Sequence, residues 1–516
     1  MTSIRIAYSP LIFLFLLVLV IYGLMFNVYV PPFNGDDITY FHGALSIAAG
    51  EGFKEQGRWI IDWPPVQSTL MAATMLLTGV REYYVAKIIN GLAVFLALAM
   101  AHRVMVLENR RCPLLICAMI VIFPTALVVG SAGQADFTFF AISMLFILLA
   151  ARLRERRQLR WAIACGCGLG IASLTRWIGV VLGVILVYQA IEVAYKSAKK
   201  NFDAYSMSAW LEIAASIIGA SFFLGWKGWL HLCKESGMSS VSNYEYLGGS
   251  IWNPPDPHEL FVGFLNLLTQ LENIVLTFSP NLSWLVGGLA SLFLLLCTWG
   301  FVVRIREHGW RASDAYFLAT LILLSVYAYK ESRYGIPIAP FLLDYVFTGL
   351  RSFHKRVMFF FGRKDLSTLH LPRLFFTIWI TGLIAMDFIL IFRGDGESMG
   401  PACQFLLVDN RDYLRGYHRD LYDTCKQITR EYPDAIVATD KFHKQLIRYY
   451  SGLETHFVGY TPHLKYKIFV EVSKDSLPNR ANELTRNELD FPTSLEGRLS
   501  NPRQRGMVTL WDVDAR

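Results

Sequence analysis

Charge is scarce in this chain of 516 residues: Asp, Glu, Lys and Arg make up 17%, against 54% hydrophobic residues. That balance excludes an ordinary soluble enzyme and describes an integral membrane protein carrying some soluble mass. The net charge of +7 needs no nucleic acid to explain it, because the basic residues fall in short clusters between apolar runs. The eight cysteines have no metal-ligand spacing, and Cys165 and Cys167 lie inside an apolar span as small packing residues. A glycine-rich phosphate loop and a Ser/His/Asp spacing are both missing. The inside loops are too short to hold a nucleotide domain, so ATP or a cytoplasmic nucleotide sugar is not expected as direct substrate. No internal repeat is apparent, which weighs against transporters made of inverted repeats.

What the chain does have is long apolar runs. The first, Leu11 to Val30, is long enough for a bilayer, and Val30-Pro31-Pro32 offers no small-residue cleavage site, so it reads as an anchor. Further spans are predicted near 82–107, 112–130, 136–151, 161–175, 177–195, 209–230, 282–303, 313–329, 334–350 and 373–392, about eleven helices in all. Basic clusters occupy every second connection: Arg110 and Arg111; Arg152 to Arg160; Lys196, Lys199 and Lys200; Arg304 and Arg306; Arg351 to Lys364. The positive-inside rule then places the N-terminus in the cytoplasm. Loop 31–81, the turn at Gln134, loop 231–281 and the tail after Phe392 face outside.

The first outer loop is punctuated by Gly50, Gly52, Gly57, Pro64 and Pro65. Within it, Val66 to Thr78 is apolar but short for a span, and is expected to lie in the outer leaflet. The tail, 393–516, reads as a small α/β domain with helices near 411–431 and 441–451 and strands near 435–439 and 466–472. Its Cys403 and Cys425 are candidates for a disulfide in an oxidising compartment.

Candidate chemistry gathers on the outside. Asp36 and Asp37 follow the first span directly; one acid would suffice to cap the helix that begins there. The second reading is a carboxylate that takes a proton from an acceptor hydroxyl while its neighbour orients it or binds a cation. Asp136 opens the next outer hairpin and serves the same two readings, cap or site acid. Lys87, Arg176, Lys227, Lys330 and Arg333 are cations at outer helix ends, on the side where the rule does not place them. A phosphate in a low-dielectric groove needs such partners, and Arg333, with Lys330 one turn before it, is the best placed. Snorkelling or a structural ion pair is the alternative for each. His42 and His258 could join Asp37 around a divalent cation, or be hydrogen-bonded loop residues.

Three stretches of the first outer loop, Gly35-Asp36-Asp37-Ile38-Thr39-Tyr40, Ala48-Ala49-Gly50-Glu51-Gly52-Phe53 and Trp63-Pro64-Pro65, resemble GT-C membrane glycosyltransferases. The similarity is to bacterial protein O-mannosyltransferases and lipid A aminoarabinose transferases. Ala135-Asp136-Phe137, Leu174-Thr175-Arg176-Trp177-Ile178-Gly179 and Glu331-Ser332-Arg333-Tyr334-Gly335-Ile336-Pro337 fit as well, so the resemblance reaches about residue 350. It implies a mainly α, polytopic fold and an inverting transfer of one sugar from a polyprenyl-phosphate donor. Asp36 would be the base, Asp136 a second site acid and Arg333 a donor-phosphate contact. Aminoarabinose transferases carry an acid and a lysine before the loop proline, where this chain has Trp63 and Pro64. The phosphate is then left to Arg58, Lys87, Lys330 and Arg333.

The sequence thus points to a transferase in the cytoplasmic membrane, its acceptor a lipid, glycan or protein, with Tyr40, Trp63 and His258 lining the substrate groove. No cofactor is implied beyond the metal considered above. The competing class is a transporter or flippase of a lipid-linked sugar, for which Arg176 and Lys227 would line a pathway.

Overall fold

In a computed structural model the described residues are 2–26, 36–55, 58–61, 63–199, 203–235, 283–326, 332–360, 416–433, 437–439, 455–457, 468–472, 499–505 and 508–513. The chain divides into two compact units, residues 1–23 with 40–387, and residues 24–39 with 388–516.

The first unit is helical, with residues 24–26 of α1 and 36–39 of α2 counted to the second. Its elements are α1 (Thr2–Phe26), α2 (Asp36–Ala48), the hairpin β1 (Lys54–Glu55) and β2 (Arg58–Trp59), α3 (Val66–Thr78), α4 (Tyr84–Leu107), α5 (Pro113–Val121), α6 (Pro124–Ser131), α7 (Asp136–Arg156), α8 (Leu159–Thr175), α9 (Gly183–Lys199), α10 (Asp203–Glu235), α11 (Ser283–His308), α12 (Ala312–Val326) and α13 (Ala339–Phe360). Short 3-10 turns, Trp177–Leu182 and Ser332–Ile338, lead into α9 and α13. Leu92, Ile217, Leu224 and Leu295 are 55%, 63%, 64% and 69% exposed on the outside of this bundle. Apolar faces of that kind are solvated by lipid, where only helices and closed barrels satisfy their own backbones. Among the described residues, Tyr84–Leu107, Asp136–Arg156 and Ala209–Cys233 are long and apolar enough to cross a membrane. The protein is a membrane protein.

Inside the bundle, small residues let helix backbones touch, since burial of apolar surface does not drive association in lipid. A methyl group added to Gly300 of α11 would run into the Tyr345 carbonyl of α13, and one on Gly349 into the Leu296 carbonyl. Gly166 and Gly170 of α8 do the same against Ala215, Ile218 and Phe222 of α10. Gly166 and Gly170 sit four apart, the spacing that brings one helix stripe against a neighbour.

Proline and glycine set several boundaries away from the expected spans. The span expected at 112–130 is two helices, because Pro124 has no N–H to continue α5 and forces Phe123 into an extended conformation (φ −72°, ψ 127°). The spans expected to begin at Trp177 and Tyr334 instead open with the 3-10 turns. Helix α3 ends at Thr78, the expected bound, with Gly79 in the left-handed region (φ 73°) and its N–H on the Met75 carbonyl at 2.8 Å. The span expected at 373–392 lies outside the described residues.

One basic residue expected in an inside loop is part of the core. Arg110 is fully buried and binds Glu108, Asp314 and Asp344 at 2.8, 2.6 and 2.8 Å. Asp314 also accepts from Tyr345 at 2.5 Å, and Arg304 donates to the Glu108 carbonyl at 2.7 Å. This cluster joins the α4–α5 connection to α11, α12 and α13.

In the second unit, α14 (Gly416–Glu431) accompanies a five-stranded mixed sheet in the order β4-β3-β5-β7-β6. Its strands are β3 (Val437–Thr439), β4 (Thr455–Phe457), β5 (Ile468–Val472), β6 (Leu499–Arg505) and β7 (Val508–Val513). β3 pairs in parallel with β4 and β5, while β7 is antiparallel to β5 and β6. Cys425 is a buried thiol on α14; its expected partner Cys403 and the helix expected near 441–451 lie outside the described residues.

Replacing Arg110 by Met leaves three carboxylates desolvated without their cation, and should destabilise the protein by about 3–5 kcal/mol. Thermal unfolding in detergent checks this, with the half-exposed Arg111→Met as a control that stays near the native midpoint.

Candidate active site

Helix α7 begins at Asp136, in the first turn of a helix whose N-terminus favours negative charge. The carboxylate is 1% exposed and is shared by two guanidinium groups. Arg176 Nη2 lies 2.7 Å from Asp136 Oδ2, and Arg333 Nη1 lies 4.0 Å from the same oxygen. Both arginines flank the Tyr334 ring, at 5.0 Å and 5.2 Å from its centre. Arg176 is also within electrostatic reach of the Tyr40 phenol and of Arg333.

Local sequence places each of these groups. Arg176 closes α8 in an extended conformation (φ −148°, ψ 140°), and its carbonyl accepts from the Gly179 N–H at 2.8 Å. A side chain at Gly179 would collide with the Ala172 and Ser173 backbone, so only glycine lets the 3-10 turn fold back onto α8. Arg333 is held by the turn Ser332–Ile338, whose Ile336 and Ile338 are 1% and 0% exposed.

The backbone before Asp136 is fixed by a buried amide network. Gln67 of α3 accepts from Thr138 at 2.7 Å and donates to Asn90 at 3.3 Å and to the Gly133 carbonyl at 3.4 Å. Asn90 of α4 donates to the Ala132 carbonyl and, at 3.3 Å, to that of Val129. The Gly133 N–H donates to the Tyr83 hydroxyl at 2.9 Å. Gln67, Asn90 and Thr138 carried no sequence signal: each is a lone polar residue in an apolar helix.

The other expected residues are distributed as follows. Asp36 and Asp37 form the first turn of α2, Asp36 half-buried and Asp37 fully buried. Tyr40, on the same helix, is 2% exposed and packs with Phe41, Met71 and Ala86, against which Trp63 also rests. Lys87 is 6% exposed, its ammonium 6.0 Å from the centre of the Tyr84 ring. Arg58 is exposed on β2. Lys227 lies over the Trp177 ring at 4.5 Å. Lys330 and His258 lie outside the described residues.

Of the expected metal set, only Asp36, Asp37 and His42 lie among the described residues. His42 faces Glu55 at 3.7 Å, and five residues separate it from Asp37, which puts the two on different sides of α2. Among the described residues no group of three or more His, Cys, Asp or Glu side chains converges.

Two guanidiniums on one desolvated carboxylate form a preorganised cationic corner at the end of a helix bundle, suited to an anion. Solved structures with a similar arrangement of helices include the following. ArnT from Cupriavidus metallidurans, bound to undecaprenyl phosphate, aligns over 98% of this chain and 98% of its own at 13% identity, TM-score 0.53. This is the GT-C fold. The Archaeoglobus fulgidus oligosaccharyltransferase in complex with Zn and sulfate aligns over 98% of this chain and 73% of its own, at 12% identity and TM-score 0.53. The apo form of the same ArnT gives 14% identity and TM-score 0.52. No family model matches the sequence, and no curated protein sequence matches it.

Replacing Asp136 by Asn keeps the shape and leaves Arg176 and Arg333 facing each other. In a double-mutant cycle with Arg176→Gln, read by thermal unfolding, the pair should couple by about 1–3 kcal/mol. Strict additivity would mean that the 2.7 Å contact carries no stability.

Proposed function

We propose that the chain is a GT-C membrane glycosyltransferase that moves one monosaccharide from a polyprenyl-phosphate donor to a lipid, glycan or protein acceptor at the outer face of the cytoplasmic membrane. The observation that carries this reading is the convergence of Arg176 and Arg333 on Asp136 within this fold. A departing lipid phosphate develops charge, and guanidinium donors already fixed by a carboxylate and by Tyr334 need no reorganisation to receive it. Asp136 is then a positioning acid for the two arginines. The likeness to a transferase bound to undecaprenyl phosphate supports the donor class.

Asp36 is assigned as the base that removes the acceptor proton, with Asp37 as its neighbour. What supports the assignment is its half-buried place in the first turn of α2, four residues before Tyr40 and so on the same helix face. Asp37 is buried outright, which suits an orienting group better than one that must meet an acceptor. The N-terminus is assigned to the cytoplasm and residues 393–516 to the opposite side, on the charge pattern of the loops.

With labelled undecaprenyl-phosphate monosaccharides and purified protein in lipid, sugar transfer or release should fall about 100-fold or more in Asp36→Asn. Thermal unfolding should show that variant folded. Equal turnover in both proteins would remove Asp36 from the mechanism.

A further inference from the structure

Gln134 is wholly buried, two residues before Asp136, and neither its Nε2 nor its Oε1 has a hydrogen-bond partner within the described protein. The Nε–H of Arg176, whose Nη2 holds Asp136, is likewise buried and without one. Burying an amide with both ends unsatisfied is unfavourable, and native structures rarely tolerate it outside functional sites. The position is not a loose one. Gly133 is fixed on both sides by Tyr83 and Gln67, and α7 starts immediately after Ala135.

The chemistry of the unfilled groups selects the ligand. Phosphate oxygens accept hydrogen bonds and cannot satisfy Oε1, and a polyprenyl chain satisfies neither atom. A hydroxyl both donates and accepts, and two neighbouring hydroxyls on a sugar ring match the two ends of one amide. We propose that Gln134 reads a hydroxyl pair on the transferred sugar, with the Nε–H of Arg176, the partner of Asp136, as a further donor to the same ligand, while the arginine ends face the phosphate. The inference rests on the donor class assigned above and adds to it a residue that distinguishes one sugar from another.

The test measures binding as well as turnover, using full-length protein in lipid nanodiscs. The probes are undecaprenyl phosphate alone and undecaprenyl-phosphate mannose, glucose, galactose and arabinose, with deoxy analogues of whichever binds most tightly. Gln134→Leu should weaken that sugar-bearing donor by about 10- to 100-fold and leave undecaprenyl phosphate within about twofold. Gln134→Asn, which keeps the amide on a shorter arm, should change the order of preference among the sugars. Loss of one particular hydroxyl should matter in the native protein and no longer matter in Gln134→Leu. Equal weakening of both ligands would make Gln134 a structural residue, and unchanged affinity for every sugar would mean that the amide meets no ligand; either result overturns the proposal. Absence of turnover in the native protein would defeat the transferase reading while the binding comparison still decides the role of Gln134.

Discussion

A charge placed in a lipid-facing bundle must bring its partner with it, and much of this architecture follows from where those partners meet. Asp136 begins α7, Arg176 ends α8 and Arg333 sits in the turn before α13, so one ion cluster ties together three segments distant in sequence. Arg110 does the same for the α4–α5 connection, α12 and α13 through Glu108, Asp314 and Asp344. In a medium of low dielectric such clusters are strong only when complete, which is why the loss of one member is felt across several helices. Between the clusters, contact is made by glycine and alanine stripes, a packing mode that fixes helix spacing without needing any polar group.

The same constraint explains how a cationic site can persist at a membrane boundary. A pair of unopposed guanidiniums would repel each other and seek headgroups or water; sharing one carboxylate and one tyrosine face keeps both in place. The amide network of Gln67, Asn90 and Thr138 then fixes the backbone that carries the carboxylate. Positioning therefore runs from uncharged polar side chains to an acid, and from the acid to the arginines. For a reaction whose difficulty is charge developing on a leaving phosphate, rigidity of this kind matters more than the number of cations nearby.

How much of this could be read beforehand differs by residue. Asp136 and Arg333 were legible because each is a charge at the end of an apolar run, and the short helix Val66–Thr78 because its apolar run is bounded. The break at Pro124 was written in the sequence, but a hydropathy window averages across it. Arg110 lies in the connection where it was expected, but its burial was not legible, because counting basic residues in loops cannot see Asp314 and Asp344, which are more than 200 positions away. Arg176 was noted as an outer cation, yet its pairing with Asp136 depends on how α8 folds back at Gly179, a tertiary fact. The amide network left no trace, since a single Gln or Asn in an apolar helix reads the same whether it is bonded or not. In the second unit, β6 contains Pro502, Arg503 and Arg505, a composition that reads as a loop until a neighbouring strand pairs with it.

The placement of the charges also bears on the choice, made in the proposed reading, of a transferase over a transporter. A transporter needs polar groups along a path through the bilayer, whereas here the buried charges near α4 concentrate toward its two ends. Asn90 and Leu107, close to the respective clusters, are about 25 Å apart along that helix at 1.5 Å per residue. The residues α4 buries between them, Ala93, Val94, Ala97, Leu98, Ala101, Val104 and Met105, are all apolar. Phe137, Phe140, Met144, Tyr316 and Phe341 belong to the same buried core. Along this face of α4 a solvated substrate would have to leave its hydration behind, at an expense that transport sites avoid by lining their path with polar groups. The lipid-linked donor of the proposed reading would meet no such barrier, because its chain would stay in the bilayer and only its phosphate and sugar would have to reach the cationic corner at Asp136.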